Sequence, residues 1–75
     1  MKHYQFTVIV QRDEEGNFLA ICPALQGCCT EGETAEESMT YLKGVIQLRV
    51  ENQQAQSEPI YEELSSQRIE IGIAA

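Results

Sequence analysis

From Tyr4 to Gln11 apolar and polar side chains alternate, with Tyr4, Phe6, Val8 and Val10 on one face and Gln5, Thr7, Ile9 and Gln11 on the other. A period of two marks a half-buried strand. Arg12-Asp13-Glu14-Glu15-Gly16-Asn17 breaks the pattern with charge and with two residues, Gly16 and Asn17, that tolerate the positive φ of tight turns. Phe18 to Cys22 resumes the extended pattern, so the two segments are expected to pair as a hairpin. Pro23-Ala24-Leu25-Gln26-Gly27 must end or bend the second strand, because proline cannot donate to a ladder and glycine frees the backbone. Cys28-Cys29-Thr30-Glu31 is long enough for a third strand, on which one of the adjacent cysteines points inward.

The period then changes. Thr34-Ala35-Glu36-Glu37 matches a capping box, with Thr34 accepting from the N–H of Glu37, the Glu37 carboxylate reaching back, and acidic residues suiting the helix dipole. Ala35, Met39, Leu42, Ile46 and Val50 recur at spacings of three and four, broadened by Val45, which predicts one amphipathic helix from about Ala35 to Gln54. At ~1.5 Å per residue it is ~30 Å long, enough to cover a small sheet. Gly44 inside it is expected to mark close approach of helix to sheet. The polar run ending at Pro59 carries the chain back, Ile60 to Leu64 is ambiguous, and Arg68-Ile69-Glu70-Ile71-Gly72-Ile73 alternates strictly, predicting a last strand. The expected fold is α+β, in the order βββαβ: a three- or four-stranded sheet with one long helix packed on it.

Length confines all of this to a single domain over residues 1–75, because so short a chain supports only one core. No apolar run approaches the ~20 residues that cross a bilayer. The opening Met1-Lys2-His3-Tyr4-Gln5 alternates instead of presenting a basic region followed by an apolar one, so a cytoplasmic setting without a secretory signal is expected. Charge changes the picture most. Twelve Asp and Glu stand against five Lys and Arg, a net of −7, with no basic cluster and no Trp. Nucleic-acid binding draws on cationic contacts to phosphate, so direct binding to DNA or RNA is not expected and a basic protein partner fits better. Excess charge for solubility is the plainer alternative.

Catalytic chemistry finds little support. Cys22, Cys28 and Cys29 are odd in number and lack the C-x-x-C spacing of a zinc site, so they read as reduced thiols, mostly in the core. The one histidine, His3, precedes the first strand, far in sequence from any cysteine it could activate. The acidic pairs at the turn and the helix start have structural explanations and no apolar surroundings to raise a pKa. No enzyme, metal or cofactor is expected. Strand edges left open by a small sheet predict self-association, most simply as a symmetric dimer.

The ordered series Arg12-Asp13-Glu14-Glu15-Gly16-Asn17-Phe18, Cys22-Pro23-Ala24-Leu25-Gln26-Gly27-Cys28 and Thr30-Glu31-Gly32-Glu33-Thr34-Ala35-Glu36-Glu37 resembles the HicB-like antitoxin family, from about Tyr4 to Val50 and again at Glu58-Pro59-Ile60 and in the last expected strand. The resemblance implies a truncated RNase H-like fold without the nuclease carboxylates, which binds and neutralises a small basic mRNA-cleaving toxin of the HicA type. Gln26 stands where many members carry a second proline. The DNA-binding segment of full-length antitoxins is absent, so operator binding is not expected. Contact with the toxin is expected at Asp13, Glu14, Glu15, Glu31, Glu33, Glu36 and Glu37, with Pro23, Leu25 and Gly27 of the loop beside them. The alternatives are an orphan HicB-like regulatory module without a toxin, and a small-ligand-binding protein whose site is the Cys22 to Cys29 loop. A nuclease of this fold would need carboxylates on strand faces, which the sequence does not place there.

Overall fold

A computed structural model of the chain describes residues 3–74. Three strands, β1 (Ile9–Arg12), β2 (Phe18–Ile21) and β3 (Cys29–Gly32), precede one helix, α1 (Ala35–Ala55). The strands form an antiparallel sheet in the order β1-β2-β3, and α1 packs against it. This is the small α+β fold expected, in the order βββα.

Two backbone constraints explain why β1 begins at Ile9 and not at Tyr4. Ile9 pairs with Ile21, so one step further back Val8 would face Cys22 and then Thr7 would face Pro23. The Cys22 N–H points to the other side of β2, donated to the Cys28 carbonyl at 3.0 Å, so the next bond to β1 falls to Pro23, which has no N–H to offer. Residues 4–8 therefore lie outside the ladder, although Tyr4 and Phe6 keep to one side and stack their rings at 6.3 Å. The core consists of Ala20 from β2, Cys22, Leu25 and Cys28 from the following loop, and Leu42 from α1, with Phe6, Val10, Ile46 and Val50 packed against it. Cys28 is buried and Cys29 exposed, the alternation expected of the pair; all three thiols are free.

The cap of α1 forms as predicted: Thr34 Oγ1 accepts from the Glu37 N–H at 3.0 Å, and the Glu37 carboxylate reaches back, though to the N–H of Glu33 at 3.3 Å. The buried stripe is rotated from the expected one. Ser38 is buried and Met39 exposed, because β3 ends hard against the first turn of the helix. A Cβ on Gly32 would lie 2.7 Å from Ser38 N, so only glycine at position 32 lets the backbone of Ser38 come this close. Its hydroxyl donates to the Ala35 carbonyl at 2.8 Å, while Thr30 Oγ1 donates to the Ser38 carbonyl at 2.7 Å, so no polar group there is stranded. Close approach thus belongs to Gly32. Gly44, for which it was expected, faces open space.

The helix closes in a Schellman motif, with Glu58 N–H donating to Gln53 O at 2.8 Å and Ser57 N–H to Gln54 O at 3.1 Å. Ser57 takes the left-handed position at φ 56°. The last expected strand, Arg68 to Ile73, is not formed; among the described residues the chain is irregular after the helix and Ile69, Ile71 and Ile73 are exposed. The alternation is real, but residues 66–68 lie beside residues 7–10 along the outer edge of β1 without joining its ladder.

Candidate protein-binding surface

The sheet register decides which of the expected contact residues can act together. Arg12 pairs with Phe18, and Phe18 pairs with Gly32. One row across the sheet therefore brings the β1–β2 turn, the end of β3 and the start of α1 to the same end of the molecule. Asp13, Glu14, Glu15, Glu31, Glu33, Glu36 and Glu37 all gather there, seven of the twelve acidic residues.

Local structure gives these carboxylates different work. Asp13 is committed to the turn: its Oδ1 accepts from the N–H groups of Glu15 and Asn17, both at 2.9 Å, while its own N–H donates to Asn17 O at 2.9 Å. Gly16 completes the bend at φ +88°. Glu37 is half-buried in the cap. Glu14, Glu15, Glu33 and Glu36 point into solvent around the rim, and Glu31 lies on the sheet face away from the helix, since its neighbour Thr30 bonds to α1. Arg12 at this end lies over the Phe18 ring, 4.9 Å from its centre. The rim is a strongly negative surface in which five carboxylates are free of turn or cap duty.

The loop from Pro23 to Gly27 was expected beside this rim and is not. It follows Ile21, whose partners Ile9 and Cys29 mark the opposite end of the sheet, about 13 Å away for four residues of strand. Hydrogen bonds from Leu25 N to Cys22 O and from Cys28 N to Leu25 O fix its shape. Leu25, named as a contact residue, is a core residue, only 5% exposed; Pro23 and Gly27 remain on the surface. Gly27 takes φ +79° and sits near the Arg49 guanidinium, so this end carries a cation where the other is acidic.

Elsewhere, burial pushes the Cys22 thiol up, partly offset by backbone hydrogen bonds from Leu25 and Ala24, which keeps it protonated and unreactive at neutral pH. Among the described residues no three metal-ligating side chains cluster, and no helix is long and apolar enough to cross a membrane. Sequence reasoning missed one further contact: Glu63 accepts from both the backbone N–H (3.0 Å) and the hydroxyl of Thr7, tying the C-terminal segment to the chain preceding β1. A separation of 56 residues left no local signal for it.

Fold and surface together define a small α+β protein with an acidic rim at one end of its sheet. Sequence comparison places it more narrowly. It is 33% identical over 60 residues to the UPF0150 protein ssr1765 of Synechocystis sp., covering 80% of this chain and 76% of the relative. It is 36% identical over 56 residues to the UPF0150 protein Ta0767 of Thermoplasma acidophilum, covering 75% and 81%, and 32% identical over 47 residues to a UPF0150 protein of Archaeoglobus fulgidus, covering 63% and 68%. The chain belongs to the UPF0150 family, which has bacterial and archaeal members. No family model matches it. No solved structure matches it.

Proposed function

We propose that this protein is an antitoxin-like binding module of the HicB kind, which captures a small basic HicA-type mRNA-cleaving toxin on its acidic rim in the cytoplasm and does not itself bind nucleic acid. The observation that carries the reading is the row Arg12–Phe18–Gly32, which gathers seven carboxylates from three separate segments at one end of the sheet. Such a surface steers a cationic partner by long-range attraction, and its carboxylates compete with RNA phosphates for the same cations. The ordered motifs shared with HicB-like antitoxins support the same reading. Its fold would be the truncated RNase H-like sheet, used as a scaffold without the nuclease site.

The test is co-expression with each small basic HicA-like protein encoded in the same genome. A stable complex with one of them, together with relief of growth arrest, is the expected result. Failure of every candidate to give either outcome would overturn the proposal, as would binding of this chain alone to nucleic acid at physiological salt.

A further inference from the structure

The sheet order β1-β2-β3 leaves the outer side of β3 without a neighbouring strand among the described residues. The Cys22 N–H donates to Cys28 O across the β2–β3 ladder, so Cys28, Thr30 and Gly32 turn their backbone groups toward β2, and Cys29 and Glu31 turn theirs outward. Outward N–H and carbonyl groups on alternate residues are the template to which an extended chain adds.

An apolar wall stands beside this edge. The helix lies along β3 and runs against it: Ser38 meets Gly32, and Arg49 meets Gly27 just before the strand begins. About 16 Å of helix thus spans about 16 Å of strand. One flank of α1, with Lys43, Gln47 and Val50, faces His3, Tyr4 and Phe6 on the β1 side. Tyr41, Val45 and Leu48 each stand two residues, about 200°, from a member of that set, so they occupy the opposite flank, over the open side of β3. All three are exposed, Leu48 at 69%. The other face of the edge carries Glu31, also exposed.

We infer that the outer edge of β3 takes up an extended segment of a basic partner protein, paired antiparallel, whose side chains alternate apolar and cationic. A strand shows its side chains to two faces in turn. On one face they would pack on Tyr41, Val45 and Leu48. On the other, the residue directly opposite Glu31 meets a carboxylate, for which a lysine or arginine is the complement. The chain's own alternating segment does not fill the place, because residues 66–68 lie at the far side of the sheet, beside β1. The same segment of a second copy would bring Glu70 among its isoleucines, a like charge for Glu31. The inference deepens the proposed function by naming how a basic partner is held, and it rests on that reading only for the partner's identity.

The probe is an acetylated octapeptide of alternating lysine and valine, titrated against the full chain. Saturable binding is expected, with hydrogen exchange slowed at the Cys29 and Glu31 amides and unchanged in β1. Methylating the lysine amides, the set that an antiparallel strand turns toward β3, should abolish it. Leu48→Asp, folded by circular dichroism, should weaken binding at least about tenfold even though a new carboxylate by itself attracts the peptide, while Gln47→Asp on the opposite flank should not weaken it. Absence of saturable binding at millimolar peptide, or binding that survives methylation of the lysine amides, would overturn the inference. So would a dimer of this chain that Leu48→Asp dissociates, since the edge would then belong to a second copy. The two readings fail separately: a bound peptide with no HicA-type partner removes the toxin alone, and a HicA-type partner held equally by the wild type and Leu48→Asp removes the strand-binding edge alone.

Discussion

At the scale of single residues, the features legible in the sequence are those whose geometry is local. Thr34 is one: a cap depends only on the next three residues, and Oγ1 accepts from Glu37 N–H as the spacing requires. Thr34→Ala should cost about 1 kcal/mol, read as a shift in the urea midpoint with an unchanged slope. Ser57 is the opposite case. Nothing in Gln56-Ser57-Glu58 announces a left-handed residue, because that conformation is imposed by the two hydrogen bonds returning to Gln53 and Gln54. A side chain at positive φ is strained where glycine is not, so Ser57→Gly should stabilise the chain by about 0.5–1 kcal/mol, a small net gain because glycine also loses more backbone entropy on folding. A lowered midpoint would show that the serine is not strained.

At the scale of elements, the hairpin, the third strand and the helix were readable because each follows from a period and a turn signal close in sequence. The errors came where tertiary contacts override a period. Met39 fits the apolar spacing of α1 better than Ser38, yet the first turn of the helix meets Gly32 at the backbone of Ser38, which leaves Ser38 buried and Met39 exposed. Arg68 to Ile73 alternates as well as β1 does, yet alternation says which face a strand would show and not which edge it would meet. The tether that sets its course is the Thr7–Glu63 contact, whose hydrogen bonds from the Thr7 hydroxyl and backbone hold the Glu63 carboxyl below the usual glutamate range. A carboxylate with a lowered folded pKa contributes fully above its unfolded value of about 4.3 and loses that contribution as the pH falls through the folded value. Amide exchange in residues 60–68 should therefore be flat with pH near neutrality, after correction for intrinsic rates, and rise on acidification below the ordinary glutamate range. Glu63→Gln should show the faster exchange already at neutral pH, and equal exchange in the two proteins would remove the tether from the account.

At the scale of the whole molecule, the acidic residues of the candidate site were all nameable from the sequence, but their grouping was not. The turn and the helix start are 20 residues apart in sequence, and only the pairing of Arg12, Phe18 and Gly32 brings them to one end. The same register sends Pro23 and Gly27 to the other end and folds Leu25 into the core, so the rim stands without the loop. If the rim recognises a basic partner, position must matter as well as net charge. The most direct measurement is the stopped-flow association rate of the HicA-type partner across ionic strength, for the wild type, for Glu33→Lys with Glu36→Lys on the rim, and for Glu51→Lys with Glu58→Lys near the far end of the helix. Both variants change the net charge equally. The rim variant should associate at least about tenfold more slowly at low salt and lose most of its salt dependence, while the far variant stays close to the wild type. Equal slowing in the two variants, or none in the rim variant, would contradict the assignment of the rim as the docking surface.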